Sequence, residues 1–126
     1  MPITMQWHNA EQDILHIHYV DYTIPEHYQA VDDAKAMMDA VDSPRVDIIG
    51  IMEGSLKALM QSSQHGSNIL STPHPRLGII VFVYTHRLML PLIIIGMKFD
   101  ARTRKYYRVA PTVEQAEAVI AKERAK

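Results

Sequence analysis

Two short runs decide most of what this chain can fold into. Val46-Asp47-Ile48-Ile49-Gly50-Ile51-Met52 and Gly78-Ile79-Ile80-Val81-Phe82-Val83-Tyr84 are almost wholly apolar and rich in β-branched side chains. A strand with one wet face alternates apolar and polar residues, whereas a strand apolar on both faces belongs inside a parallel sheet covered by helices. The N-terminal runs differ. Ile3, Met5 and Trp7 alternate with Thr4, Gln6 and His8, and residues 13–20 put Leu15, Ile17 and Tyr19 on one face and His16 and His18 on the other. The polar stretch Asn9-Ala10-Glu11-Gln12 between them predicts a hairpin.

Helices fill the intervals. Thr23-Ile24-Pro25-Glu26 has the form of a capping box with proline in the first turn. Tyr28, Val31, Ala34, Met38 and Val41 then recur at steps of three or four and predict one buried stripe, ended by Ser43-Pro44. After the turn Glu53-Gly54-Ser55, the spacing of Leu56, Leu59, Met60, Ser63, Ile69 and Leu70 predicts a second helix. Leu92-Ile93-Ile94-Ile95 favours a strand by propensity, but its place between strands and Pro91 as a first-turn residue predict a helix beginning near Leu90. Lys105 to Val109 reads as a last strand. Thr112-Val113-Glu114-Gln115 opens a final helix burying Val113, Ala116, Val119 and Ile120, ahead of a solvated tail from Lys122.

The expected fold is therefore α/β, with a mixed, largely parallel sheet in the order β-β-α-β-α-β-α-β-α. The whole chain, 1–126, reads as one domain, since no repeat, low-complexity segment or long linker interrupts its 126 residues. Apolar residues at 48% supply a core, and charged residues at 21% are those of an ordinary globular protein.

Composition narrows function by exclusion. The absence of cysteine removes thiolate catalysis, disulfides and Cys-based metal sites, and fits a cytoplasmic setting. A formal charge of −1 argues against broad electrostatic binding to nucleic acid or anionic membranes. The N-terminal Met1-Pro2-Ile3-Thr4-Met5 is not that of a signal peptide, and the apolar window 78–99 is broken by Thr85-His86-Arg87, which disfavours a membrane span.

Candidate chemistry is sparse. His16 and His18 project from one face of a strand, and His8 stands on the neighbouring strand, so the three could meet a zinc or nickel ion. No acidic ligand is fixed beside them by spacing, and a polar sheet face or dimer surface explains them more simply. Ser55, His65 and Asp47 supply the residue types of a hydrolytic triad, but no Gly-x-Ser-x-Gly elbow supports one. No phosphate-binding glycine loop occurs. Arg102, Arg104, Lys105 and Arg108, interleaved with Tyr106 and Tyr107, form a basic-aromatic cluster that could bind single-stranded nucleic acid or a phosphorylated ligand, but an edge strand protected by charge explains it more simply.

The element order, with Val46 to Ser55, His74-Pro75-Arg76-Leu77-Gly78-Ile79-Ile80-Val81 and Pro111-Thr112-Val113-Glu114-Gln115-Ala116, resembles the STAS domain. That is the fold of bacterial anti-sigma-factor antagonists and of the cytoplasmic tails of sulfate transporters. The likeness is greatest to small bacterial STAS-like proteins. The resemblance implies a non-enzymatic binding or regulatory module with no cofactor. In the antagonists the turn after the central strand carries an Asp-Ser or Asp-Thr pair whose hydroxyl is phosphorylated. Ser55 is the matching position, preceded here by Gly54, with Glu53 the nearest acid. Ser55 also suits a plain helix N-cap.

The sequence thus sets up a cytoplasmic STAS-like module that binds a protein partner, with Glu53, Gly54 and Ser55 as its regulatory turn. The alternative is a carrier or sensor of a small apolar ligand held by segment 88–97, and a metal enzyme at His8, His16 and His18 ranks below both. A two-fold homodimer through a sheet face or 88–97 is the simplest assembly.

Overall fold

The computed structural model describes residues 3–53, 71–84 and 87–126. Two strands open the chain, β1 (Ile3–Trp7) and β2 (Ile14–Val20), followed by helix α1 (Ile24–Asp39) and strand β3 (Val46–Glu53). Strand β4 (Leu77–Tyr84), helix α2 (Met89–Phe99), a short helix α3 (Ala101–Tyr106), strand β5 (Tyr107–Ala110) and helix α4 (Val113–Arg124) complete it. The five strands form one mixed sheet in the order β1-β2-β3-β4-β5. β1 pairs antiparallel with β2, Met5 opposite Ile17, and all later neighbours are parallel. The helix expected over 56–70 lies outside the described residues.

Strand alternation sends side chains to two cores. On one face Leu15, Ile17, Tyr19, Ile48, Met52 and Phe82 pack with Ala34 and Met38 of α1. On the other, Ile49, Ile79, Val81 and Val83 pack with Ala110 and with Ala116 and Ile120 of α4. The inner strands β3 and β4 contribute to both, which is why their sequences lack alternation. Gly50 follows from the first packing: a Cβ there would press on the Phe82 and Tyr19 rings.

The helix caps form as the sequence predicts at Thr23, where a complete capping box closes on Glu26. At Thr112 the hydroxyl accepts from Gln115 N at 3.1 Å. The buried stripe of α1, however, is His27, Ala30, Ala34 and Met38, with Tyr28 and Val31 only half-buried. The large Tyr19 and Tyr22 rings beneath the first turn of α1 take His27 as their neighbour instead.

Two further expectations are corrected. The stretch from Lys105 is not a strand until Tyr107, because the Asp100 carboxylate accepts from Arg102 N at 2.8 Å and starts a new helix turn. Arg102, Arg104 and Lys105 therefore sit on a short helix and not on a sheet edge. Nor is the C-terminal end a free tail. Helix α4 runs to Arg124, whose guanidinium holds Asp47 Oδ2 at 2.7 Å and Asp13 Oδ2 at 3.2 Å.

Candidate functional site

Parallel strands bring their carboxyl ends to one edge, where helices leave the sheet and ligands of open α/β folds bind. In this chain Val20, Glu53 and Tyr84 end the strands β2, β3 and β4 there, Val20 opposite Glu53 and Met52 opposite Tyr84. Val20 and Glu53 are exposed. Asp21, at φ 43, turns the chain back so that buried Tyr22 lies over Tyr19. Tyr19, Tyr22 and His27 then form a three-ring cluster with centroids 5.1 to 5.3 Å apart, which closes the α1-side core just below this edge. Burial pushes the Tyr19 phenol far up from its ordinary value, and Tyr107 and Tyr22 add to the shift. Tyr107 is raised likewise, first by burial and then by Tyr22 and Asp100. Both phenols stay protonated at physiological pH.

Glu53 closes β3 on the α4-side face, its carboxylate 3.1 Å from His18 Nε2 of the neighbouring strand. Gly54 and Ser55, the other two residues of the expected regulatory turn, lie outside the described residues.

The histidines do share one face, as the strand period requires. Gln6 pairs with His16 and Thr4 with His18, and the His8 and His16 rings meet edge-on at 5.8 Å. They do not converge on a common point. His8 Nε2 is held by Glu117 of α4 at 2.7 Å, and His18 turns toward Glu53. His16 lies between them, its Nε2 shut from solvent without a hydrogen-bond partner. Burial, then the nearby His8 and His18, lower its pKa from the ordinary 6.5. Among the described residues no group of three His, Asp or Glu is arranged to hold a metal ion.

Asp47 sits at the opposite, amino end of β3 and is fully buried. Oδ1 accepts from Ile79 N at 2.7 Å and Arg45 Nε at 3.1 Å, and Oδ2 from Arg124 Nε. Burial works against the Arg124 charge, but Asp47 and Asp13 outweigh it and hold that guanidinium above its ordinary pKa. With both oxygens engaged by other partners, this carboxylate does not orient a histidine. His65 and Ser55 of the paper triad lie outside the described residues.

Sequence reasoning missed two arginine sites. Arg124 is one. The other is Arg76, whose guanidinium donates to Met38 O, to Val41 O at 2.8 Å and to Ser43 O at 2.7 Å, adding a side-chain donor at and just beyond the C-cap Ala40 of α1. Beside it, Arg76 N donates to His74 Nδ1, so His74 carries its proton on Nε2 and donates it to Asp39 Oδ1 at 2.7 Å. An arginine flanking a strand was the only available signal, and it does not name its acceptors.

An apolar cavity of about 50 Å³ lies between α1 and the sheet, lined among others by Ile17, Ala34, Met38, Ile48, Ile80 and Phe82. A cavity of about 150 Å³ takes a benzene molecule, so this one suits a group of a few heavy atoms. Segment 88–97 is helical from Met89 as part of α2, in line with the helix expected near Leu90, and Leu88, Ile94 and Ile95 are exposed to solvent. Among the described residues no helix is long and apolar enough to cross a membrane. Comparison with protein-family models, curated proteins and solved structures finds no match to this chain.

Proposed function

We propose that the chain is a STAS-like, non-enzymatic interaction module that docks a protein partner at the carboxyl edge of its sheet and is regulated at Ser55. The observation that carries this reading is the register of β2, β3 and β4. It brings exposed Val20 and Glu53 to one edge, and Ser55 follows Glu53 by two positions in the chain. The sequence pattern predicts a helix after Ser55, and at the start of such a helix a phosphate would meet free amides and the positive end of the dipole. The engagement of His8, His74 and Asp47 with fixed partners also favours binding over catalysis by those three residues.

Phosphosite mapping by mass spectrometry on protein from its own host tests this. The expected result is an added mass of about 80 Da on Ser55. Ser55→Ala and Ser55→Glu baits should then recover different amounts of the same partner. Turnover on a substrate panel that Ser55→Ala or His16→Gln abolishes would overturn the reading. The cavity between α1 and the sheet favours a second reading, a sensor of a small apolar molecule. Under that reading Ala34→Phe, which fills the cavity, abolishes binding of the co-purifying ligand and leaves partner recovery unchanged.

A further inference from the structure

Charge in this chain is segregated, and the net value hides it. Residues 87–108 hold six basic residues, Arg87, Lys98, Arg102, Arg104, Lys105 and Arg108, against the single acid Asp100. The rest of the chain carries seven basic residues against thirteen acidic ones. Of the six, Arg108 is offset by Glu123 at 3.2 Å, while Arg104 donates to Met97 O and Lys98 O at the end of α2 and keeps its charge outward-facing and exposed.

The same region carries the apolar surface. Leu88, Ile94 and Ile95 are 50%, 44% and 54% exposed, and Pro91 is exposed with them. At 3.6 residues per turn, the N-cap Leu88 and positions 91, 94, 95 and 98 fall within an arc of about 120°. The exposed side of α2 is thus an aliphatic ridge, about 10 Å from Leu88 to Ile95, with Arg87 before it and Lys98 after it. Leu90 and Met97, on the other side of the helix, are half-buried.

We infer that α2 is an interfacial anchor that lays this ridge into the headgroup region of an anionic lipid surface. Aliphatic side chains flanked by Lys and Arg are what such a surface takes up, and its negative potential selects the basic segment over the acidic remainder. Charge argues against a second copy as the occupant. Two ridges packed antiparallel set Arg87 against Lys98, and packed parallel set each cation against its twin. A lipid surface also needs no groove to match a protruding ridge, as a protein partner would. This adsorption is independent of whatever docks at the β3 edge, and it is not a membrane span.

The absence of cysteine allows a clean test. Ile95→Cys and, as control, Gln29→Cys on the exposed side of α1 are each labelled with an environment-sensitive dye in the full chain. With vesicles containing phosphatidylglycerol, the label at 95 should shift to shorter wavelength and the label at 29 should not. Co-sedimentation of the unlabelled chain should weaken as salt rises. Ile94→Ser with Ile95→Ser should lower vesicle partitioning by at least about tenfold, and Arg87→Glu with Lys98→Glu should abolish it. These residues are surface-exposed, so unchanged circular dichroism is expected for both. Equal binding to pure phosphatidylcholine, no binding to either vesicle, or binding to a polyglutamate surface in place of vesicles would each overturn the inference. So would a concentration-dependent dimer lost in Ile94→Ser with Ile95→Ser.

Discussion

Replacing Asp47 by alanine strikes the one fully buried charge among the described residues, and its consequences can be worked out contact by contact. Ile79 N–H, which donates to Oδ1 at 2.7 Å, is left buried without an acceptor, a loss of about 1–3 kcal/mol. Arg124 and Arg45 lose a charged partner, but their side chains are 30% and 37% exposed and can turn toward water. That relief removes much of their share, since exposed pairs contribute little. The expected total is about 3–5 kcal/mol, a large part of the roughly 5–15 kcal/mol that holds a domain of this size together. In urea, with a slope of about 1.5 kcal/mol/M, the midpoint should fall by roughly 2–3 M at unchanged slope. Asp47→Asn keeps an oxygen for Ile79 but aims an amide donor at a guanidinium donor, so it should lie between wild type and alanine. Gly78→Ala probes the same carboxylate from the other side, because a Cβ there would overlap Asp47 Oδ1 and Arg45 Nε. It should approach the Asp47→Ala loss. A double-mutant cycle of Asp47→Ala with Arg124→Met should give a coupling of at least about 1 kcal/mol. A midpoint shift under about 0.5 M for Asp47→Ala would refute this account of the network.

Other perturbations have signs fixed by single contacts. Arg76→Ala removes the donor to three carbonyls at the end of α1 and should cost about 2–3 kcal/mol in urea unfolding, with Arg76→Lys restoring only part because an ammonium lacks the fork. Gln12 holds φ 56 in the β1–β2 turn, so Gln12→Gly should raise stability by roughly 0.5–1 kcal/mol, and a lower melting temperature would contradict this. His16 binds a proton less readily folded than unfolded. Its neutral form therefore supports the fold fully above 6.5, and stability is lost as pH falls from 6.5 through the lowered value. Urea midpoints measured at pH 7.5 and 5.5 should separate less in His16→Gln than in wild type. Equal separations would exclude His16 as a contributor.

The parts of the fold legible in the sequence were those set by local periodicity. Strand alternation put Leu15, Ile17 and Tyr19 on the core face, and the Thr23 capping box located the start of α1. The parts that were not legible depend on partners distant in the chain. His27 displaces Tyr28 from the buried stripe because Tyr19 and Tyr22 wait beneath it, and no helical spacing reports that. Arg124 lies 77 residues from Asp47, so a charged C-terminus reads as solvated until the sheet places that carboxylate under it. Asp100 misled for a different reason. Tyr106, Tyr107 and Val109 favour a strand by propensity, but a side-chain cap two residues before Arg102 wins the preceding turn for helix. Of the candidate site, strand period brought the histidines to one face, while their division between Glu117 and Glu53 needed the third dimension.

The two ends of the parallel strands are built for different tasks. At the amino ends, Asp13 and Asp47 are stapled by Arg45 and Arg124, and Asp47 N donates to Asp13 O at 3.0 Å, so the C-terminal helix is locked to the start of β2 and β3. At the carboxyl ends the polar side-chain contact described between strands is His18 Nε2 with Glu53 at 3.1 Å, without hydrogen-bond geometry. Such a contact between partly exposed side chains is worth little to stability. Among the described residues the charged cross-links gather at the amino ends, away from the edge where open α/β sheets bind ligands, and the Tyr19, Tyr22 and His27 rings pack beneath the carboxyl edge. A new charge following Glu53 would therefore act at the end of the sheet that has fewer charged cross-links among the described residues. Amide exchange should reveal this order directly, with Asp47 and Ile79 among the slowest backbone amides and Glu53 and Val20 among the fastest in the strands.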